Sequence, residues 1–137
     1  MAHTRLRKFE TNVWYRGTQK LNNEFCMVVD TGDFVFLRGQ TGHDFKGDFH
    51  GHGDAGAQAE QAMSNVKVLL EEAGCTLHDI CKVEIFVTDR GWLDPVREVV
   101  GRHLKGVHVV MNEVIVKGLA RPYMNMEIDV YAVRGGA

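Results

Sequence analysis

The sequence lacks several features that would assign it to a class at once. No apolar run approaches the ~20 residues that a membrane-spanning helix needs. The basic segment Met1–Lys8 has no apolar segment behind it, so we expect no secretory signal. Positive charge is not in excess either, because the formal net charge is −2. Electrostatics therefore do not favour a nucleic-acid partner.

Familiar catalytic motifs are also absent, since the chain contains no G-x-S-x-G, no P-loop and no G-x-G-x-x-G. Cysteine is scarce and odd in number: Cys26, Cys75 and Cys81 lie in or beside apolar segments. We interpret all three as reduced, buried thiols, which predicts a cytoplasmic protein.

What is present is the composition of an ordinary globular domain. The chain has 137 residues, enough for a core of its own, with 45% hydrophobic and 25% charged residues. No internal repeat, linker or low-complexity segment divides it. We therefore predict a single domain over residues 1–137, with no membrane partner.

The first half of the chain predicts a hairpin, a loop and a long helix. Two apolar segments, Phe25–Val29 and Phe34–Leu37, flank an Asp/Gly-rich turn. Residues 43–56 are rich in glycine and lack periodicity, which is typical of a loop. Asp54 can cap the following helix by accepting from its free N–H groups, and Gly74 can end it. The apolar positions of this helix recur at spacings of three and four: Ala59, Ala62, Met63, Val66, Leu69, Leu70 and Ala73.

The second half predicts three strands and a shorter helix. Alternation over Ile80–Val87 indicates a strand. The dipeptide Asp94-Pro95 favours a helix start, because proline suits the first helical position. The β-branched segment Val107–Lys117 and the segment Met124–Val133 predict the last two strands. The predicted order is β-β-α-β-α-β-β.

Two helices can cover only one face of such a sheet. On the last strand Met126, Ile128 and Val130 share one face, whereas Glu127 and Asp129 share the other. Neither set is wholly core-like or wholly solvent-like. The pattern fits a subunit interface that contains a polar pocket, and a solvated sheet face is the alternative.

Four segments resemble the Rid (YjgF) family: Phe36–Gly42, Gln58–Lys67, Ile80–Asp89 and Met126–Val133. The resemblance extends over Phe25–Arg134. The best-known members of that family hydrolyse reactive imines and enamines to carbonyl compounds and ammonia. The resemblance implies an α+β, chorismate-mutase-like fold, in which two helices lie on one face of a mixed sheet. It also implies a homotrimer with a ligand cleft between each pair of subunits, and no cofactor.

Three residues of this chain match positions in the family's cleft. Glu127 matches the glutamate thought to position the hydrolytic water, although an ordinary interface glutamate is the alternative. Gly39 matches the glycine of the family's Ser-Gly-Gln motif, where glycine lets the backbone close on the ligand. Arg38 stands at the serine position of that motif. Its guanidinium could bind a carboxylate through two parallel hydrogen bonds, or it could be a surface arginine.

Asn112 is a second departure from the family pattern. Imine-deaminating members carry an arginine there that grips the substrate carboxylate, whereas asparagine offers donors without charge. Either the substrate lacks a carboxylate at that end, or Arg38 supplies the cation, or the protein is not a deaminase. Arg121 lies in the turn before the last strand, and we do not assign the role to it. Tyr15 aligns with a tyrosine near the family's cleft, with a packed aromatic as the alternative.

The histidines of the glycine-rich loop raise the question of a metal. His50 and His52 are spaced to share one ion, with His43, Asp48 and Asp54 close in sequence. No cysteine or distant histidine is predicted to converge on them, and the family needs no metal. We therefore predict no metal site.

Three functions follow from these observations. The first is a Rid-type small-molecule hydrolase that acts on a C–N bond of an imine, enamine or related catabolic intermediate, with a non-standard substrate. The second is a non-catalytic ligand-binding or regulatory trimer that lost the chemistry together with the arginine. The third and least favoured is a ribonuclease, because the chain is acidic and has no basic stripe.

Overall fold

A computed structural model describes residues 2–136. Within them the chain forms six strands, three α-helices and two 3₁₀ turns. The strands are β1 (Thr4–Glu10), β2 (Glu24–Asp30), β3 (Phe34–Leu37), β4 (Ile80–Val87), β5 (Val110–Ile115) and β6 (Met126–Val133). The helices are α1 (Thr11–Trp14), α2 (Ala55–Glu72) and α3 (Leu93–His103), and the 3₁₀ turns are Leu77–Asp79 and Arg90–Trp92.

All six strands join one mixed sheet in the order β1-β2-β3-β6-β4-β5. Neighbouring strands are antiparallel except β4 and β5, which are parallel and are connected through α3. The central pair sets the register that matters for function. Glu127 of β6 lies opposite Phe86 of β4, and Asp129 lies opposite Glu84. These side chains therefore share one face of the sheet.

The core lies between the opposite face of the sheet and the helices α2 and α3. As predicted, Asp54 caps α2, because its carboxylate accepts from the Ala57 N–H at 3.1 Å. Gly74 follows the helix with a φ of 77°, in the left-handed region that favours glycine. The largest fully buried apolar side chains are Met63, Leu69, Leu70, Ile85, Met126 and Ile128. Burying each of them contributes about 1.5–3 kcal/mol.

The predicted element order missed the N-terminal strand β1 and the short helix α1. The strand sequence, Thr4–Glu10, alternates poorly and carries three basic residues, which is typical of an edge strand that must not pair with other chains. Arg7 within it has a positive φ of 54°, which interrupts the alternation of side chains. The basic residues and the interrupted alternation explain why the sequence did not predict this strand.

Three further predictions need correction. The face of β6 that carries Met126, Ile128 and Val130 is plainly core, with at most 3% of each residue exposed. The fifth strand is shorter than the predicted Val107–Lys117, because β5 covers only Val110–Ile115. The three cysteines are free, but only Cys75 is buried. Cys81 is exposed and Cys26 is partly buried, since both lie on strands next to solvent.

None of the described helices is both long enough and apolar enough to cross a membrane.

Candidate functional site

Gly39 lies where β3 ends, and backbone hydrogen bonds fix it between two strands. On one side the Arg38 N–H donates to the carbonyl of Met27 at 2.8 Å. On the other side Gln40 and Ile128 exchange two backbone hydrogen bonds, each of 2.9 Å. The backbone of Gly39 is thereby held close to β6, on the face that the helices do not cover.

Two carboxyl groups converge on Gly39. A Cβ atom at this position would lie 2.6 Å from Glu127 Oε2 and 2.6 Å from Asp129 Oδ1. Real Cβ atoms do not approach other atoms so closely, so a side chain here would displace one or both carboxyl groups. The absence of a side chain at Gly39 is what lets both acids occupy this position.

The environment of these two acids favours their protonated forms. Burial raises the pKa of Glu127, and the neighbouring Asp129 raises it further, while the charge of Arg38 acts in the opposite direction. Burial also raises the pKa of Asp129, together with the charge of Glu84. Two carboxyl groups this close are costly to ionise together, which favours the protonated form of one of them. The pair can thus offer a proton donor and a proton acceptor at once.

Glu84 continues the acidic row onto β4. The hydroxyl of Tyr131 donates to Glu84 Oε1 at 2.6 Å, which raises the pKa of Tyr131 to about 12. Glu84 lies opposite Asp129 in the β4–β6 register. Three carboxyl groups and one phenol therefore follow one another across the open face of the sheet.

Arg38 provides positive charge beside this row. Its Nη2 donates to the hydroxyl of Tyr15 at 2.9 Å, and its guanidinium carbon lies 5.2 Å from the ring centre of Phe9. Among residues 2–136 no carboxylate lies within 4 Å of Arg38. Several of its N–H donors are consequently available to an anionic ligand.

Tyr15 is held in place by two residues on its other sides. The guanidinium of Arg121 lies 4.2 Å from its ring centre, and the ring of His43 stands perpendicular to it at 6.3 Å. His43 is buried between Thr41 Oγ1 and the hydroxyl of Tyr123, each at 3.0 Å. Burial, followed by the charges of Arg38 and Arg121, lowers the pKa of His43 to about 4. The imidazole is therefore neutral at physiological pH.

Comparison with known proteins shows the family. The family model described as Endoribonuclease L-PSP matches residues 18–134, most of the chain. The chain belongs to this family, which is also called the Rid or YjgF family.

The length of the aligned region differs among the relatives in the Rid family. Protein DfrA of Myxococcus xanthus is 37% identical over 108 residues, which cover 79% of this chain and 82% of DfrA. A 2-iminobutanoate/2-iminopropanoate deaminase of Salmonella typhimurium is 41% identical over 65 residues, 47% of this chain and 50% of the deaminase. The family thus includes deaminases, but the region of similarity covers only half of the Salmonella deaminase.

Solved Rid structures share the fold. The structure of a YjgF/YER057c/UK114 family member from Mycobacterium tuberculosis superposes with a TM-score of 0.74 at 24% identity, covering 96% of this chain and 99% of that one. Yeast Mmf1 gives a TM-score of 0.75 at 25% identity, covering 81% and 87%. The mixed α+β architecture is therefore that of the Rid family.

The structure brings four of the five sequence-predicted site residues of this Rid chain into one neighbourhood. Glu127 meets Gly39, Gly39 follows Arg38, and Arg38 donates to Tyr15. Asn112 is the exception. It is exposed on β5 opposite Glu84, so that β4 and β6 separate it from β3. Within one chain Asn112 cannot contact a ligand held by Arg38.

The loop histidines have separate partners. His43 bonds Thr41 and Tyr123, whereas His50 Nε2 lies 2.7 Å from Asp44 Oδ2. The ring of His52 packs against Phe49 at 4.9 Å. Over residues 2–136 no three histidine, cysteine or acidic side chains come together as a metal cluster.

Sequence reasoning did not assign a role to Asp129, Glu84 or Phe9, all of which lie beside the predicted site residues. A signal for Asp129 was present, because alternation placed it on the same face as Glu127. Glu84 could be added only after the register of β4 against β6 was known. Phe9 lies on the strand that the sequence did not reveal.

Proposed function

We propose that this protein hydrolyses the C=N bond of an anionic imine, or of the enamine that tautomerises to it. The observation that carries the proposal is the separation of charge around Gly39. Arg38 lies on one side with free donors, and the acids Glu127 and Asp129, whose pKa values are raised, converge on Gly39. A protonated imine that bears a carboxylate has the complementary charge at each end.

The chemistry requires one water and a series of proton transfers. Glu127, as carboxylate, accepts a proton from the water while the water oxygen bonds to the carbon of the protonated imine. Asp129 or Glu127 then returns this proton to the nitrogen of the carbinolamine, and the C–N bond breaks while the carbinolamine hydroxyl gives its proton to the carboxylate. That proton passes to the departing ammonia, so the products are a carbonyl compound and ammonium, and the pair regains its starting protonation. No step needs a cofactor.

Arg38 and Tyr15 serve as the anion-binding side of the site. The planar guanidinium can bind a carboxylate through two hydrogen bonds, and Tyr15 fixes one of its nitrogens. The Gly39 backbone lies next to the reacting atoms because no side chain intervenes. Asn112 can complete the site only if it comes from a neighbouring copy of the chain, which the proposed homotrimer with clefts between subunits would supply.

The open sheet face supports that trimer. It exposes large apolar side chains that α2 and α3 do not cover, namely Phe34, Phe36, Val110, Val114 and Tyr131. A face of this kind is typical of an interface between subunits. Sedimentation velocity at micromolar concentration tests this, and a monomer would contradict the cleft and the role of Asn112.

Deaminase relatives support the class of reaction, but Asn112 argues for a different substrate. Replacing a charged hydrogen bond to a carboxylate by a neutral one costs about 1.5–3 kcal/mol, or roughly 10- to 150-fold in rate. We expect slow hydrolysis of small imines such as 2-aminoacrylate. The same residue favours the alternative of a ligand-binding trimer without chemistry. A ribonuclease is least favoured, because the formal net charge is −2 and the sequence has no basic stripe.

The test is an imine generated in the assay, with its decay and the release of ammonia measured against time. Glu127→Gln should remove hydrolysis while leaving the fold intact, because the two side chains have the same shape. Glu98→Gln is the matched control, since Glu98 is exposed on α3, away from the site. Equal rates for the wild type and Glu127→Gln would refute the proposed role of the acid pair.

A further inference from the structure

A groove of about 1060 Å³ lies along β1 and β2, and Arg38 is among the residues that line it. Its volume matches that of a site for a sizeable small molecule. Glu127, Asp129 and Glu84 do not line it. Arg38 therefore lies between two spaces, with the acid pair on one side and this groove on the other. The catalytic proposal leaves the groove without a function.

Three cations line the groove. Arg5 and Lys8 line it together with Arg38, and none of these three cations has a carboxylate within 4 Å in the described part of the chain. Arg5 and Lys8 are three residues apart, and the positive φ of Arg7 between them breaks the alternation that would place them on opposite faces. The kink in β1 thus brings a second and a third cation to the groove.

Two carboxylates also line the groove. Glu10 and Glu24 are opposite one another at the last pair of the β1–β2 register. The Arg38 guanidinium lies over Phe9, the neighbour of Glu10, so Arg38 and Lys8 lie nearer to these acids than Arg5 does. An anion in the groove is therefore held by the unpaired donors of Arg38 and not by a general excess of positive charge.

Aromatic and aliphatic side chains also line the groove. Phe9 lies under the Arg38 guanidinium, and Phe25 meets its edge with ring centres 6.2 Å apart. Phe25 is 52% exposed, although it is a large apolar side chain. Val29 lines the same groove. A flat apolar group placed here would cover Phe25 and stack with Phe9.

We infer that the groove binds the side chain of the substrate, and that the substrate class is carboxylates with an aromatic or similarly bulky apolar side chain. This inference rests on the proposed function, because it uses Arg38 as the common anchor of the carboxylate. The carboxylate binds Arg38, the reacting carbon faces Glu127, and the side chain extends along Phe9 and Phe25. A short-chain substrate would leave the groove empty.

Binding of unreactive carboxylates tests the inference without any chemistry. Isothermal titration of the intact protein compares 3-phenylpropionate with propionate and with 3-phenylpropanol. We expect 3-phenylpropionate to bind about 10- to 100-fold more tightly than propionate, since a phenyl ring leaves water. The neutral alcohol should bind more weakly than 3-phenylpropionate, because it lacks the charge that Arg38 recognises.

Two variants that shorten exposed apolar side chains locate the side-chain site. Phe25→Ala should weaken 3-phenylpropionate several-fold and leave propionate unchanged. Val68→Ala is the control, because Val68 is 37% exposed on α2, does not line the groove and is not on the open face of the sheet. Sedimentation of both variants checks that neither changes the assembly state.

The outcomes separate this inference from the proposed function. If 3-phenylpropionate binds more tightly than propionate and Phe25→Ala loses this preference, but no imine is hydrolysed, the role of the groove is supported and the proposed hydrolysis is contradicted. If imines are hydrolysed with no preference for bulky side chains, the role of the groove is overturned and the proposed hydrolysis stands. Equal binding of 3-phenylpropionate and propionate, or a Phe25→Ala variant that changes assembly and not selectivity, also overturns the inference.

Discussion

On the face of the sheet that α2 and α3 cover, β6 presents Met126 and Ile128, neither of which is exposed. On the opposite face the same strand presents Glu127, Asp129 and Tyr131, which are partly or largely accessible. Adjacent residues of one strand therefore experience different surroundings. The alternation of side chains puts a closed apolar core one residue away from a row of ionisable groups.

The difference shows how a small domain can keep a reactive site on a rigid base. The covered face contributes stability, because its side chains leave water completely. The open face contributes chemistry, because half-buried carboxyl groups there have raised pKa values without paired cations. Acids elsewhere behave in the opposite way. Arg134 holds the pKa of Asp30 at about 2 through two hydrogen bonds of 2.7 Å.

The largest expected effect comes from the covered face. Ile128→Ala should cost about 2–5 kcal/mol of unfolding free energy, because it leaves a cavity in the core. Urea denaturation followed by circular dichroism measures this. Phe36→Ala on the open face is the comparison, since Phe36 is 47% exposed in one chain. Its cost should vary with protein concentration if other copies cover it, and a cost independent of concentration would contradict the trimer.

A smaller effect is expected where the open face is most crowded. Gly39→Ala places a methyl group against Glu127 and Asp129, and overpacking of this kind costs about 1–3 kcal/mol. Hydrolysis should fall with stability, because the acid pair must move. Gly101→Ala is the control, since a Cβ there meets nothing within 4 Å and alanine favours the helix α3. A Gly39→Ala protein that keeps wild-type activity and stability would show that Glu127 and Asp129 do not lie this close to Gly39.

The free energy of unfolding should depend on pH in opposite ways through Glu127, an acid of the open face, and through Asp30, which is paired with Arg134. We expect each to change it by about 1 kcal/mol. The pKa of Asp30 is lowered, so its stabilisation is complete above pH 3.8 and is lost as the pH falls toward 2. The pKa of Glu127 is raised, so its contribution is present below pH 4.5 and is lost as the pH rises through the raised pKa.

Urea denaturation between pH 2 and pH 8 measures both dependences. Asp30→Asn should be less stable than the wild type near neutral pH and should lose the acid slope. Glu127→Gln should gain stability relative to the wild type as the pH rises. Glu98→Gln is expected to follow the wild type throughout. Parallel profiles for Asp30→Asn and Glu127→Gln would contradict the difference between the two kinds of site.

The smallest effect concerns Tyr131. Its hydroxyl donates to Glu84, so the pKa of Tyr131 lies at about 12. Ultraviolet titration should show a late tyrosine component, which Tyr131→Phe removes. Glu84→Gln should lower the pKa of Tyr131, because the negative charge is gone. Each change should cost about 0.5–1.5 kcal/mol or less. A late component that persists in Tyr131→Phe would show that this hydrogen bond does not form.

The local pattern of the sequence was enough to predict much of the fold. Asp54 and Gly74 marked the ends of α2, and alternation located β4 and the two faces of β6. The strand β1 was not recognised, because its charges suit a sheet edge and Arg7 interrupts its periodicity. Edge strands depend on their neighbour more than on their own pattern, so their residues give a weaker local signal than the apolar stripe of a helix does.

The sequence by itself determined the family and most of the helices and strands, because these follow from short motifs and from periodicity. The resemblance to the family supplied the four candidate residues that the structure brings together. Only the tertiary structure decided that Asp129 and Glu84 join Glu127, and that Asn112 lies apart from Arg38. It alone also revealed the groove beside Arg38. The physical reason is strand order. Which strands are neighbours is set by packing of the whole sheet, and distances between strands are not encoded in the spacing of residues along the chain.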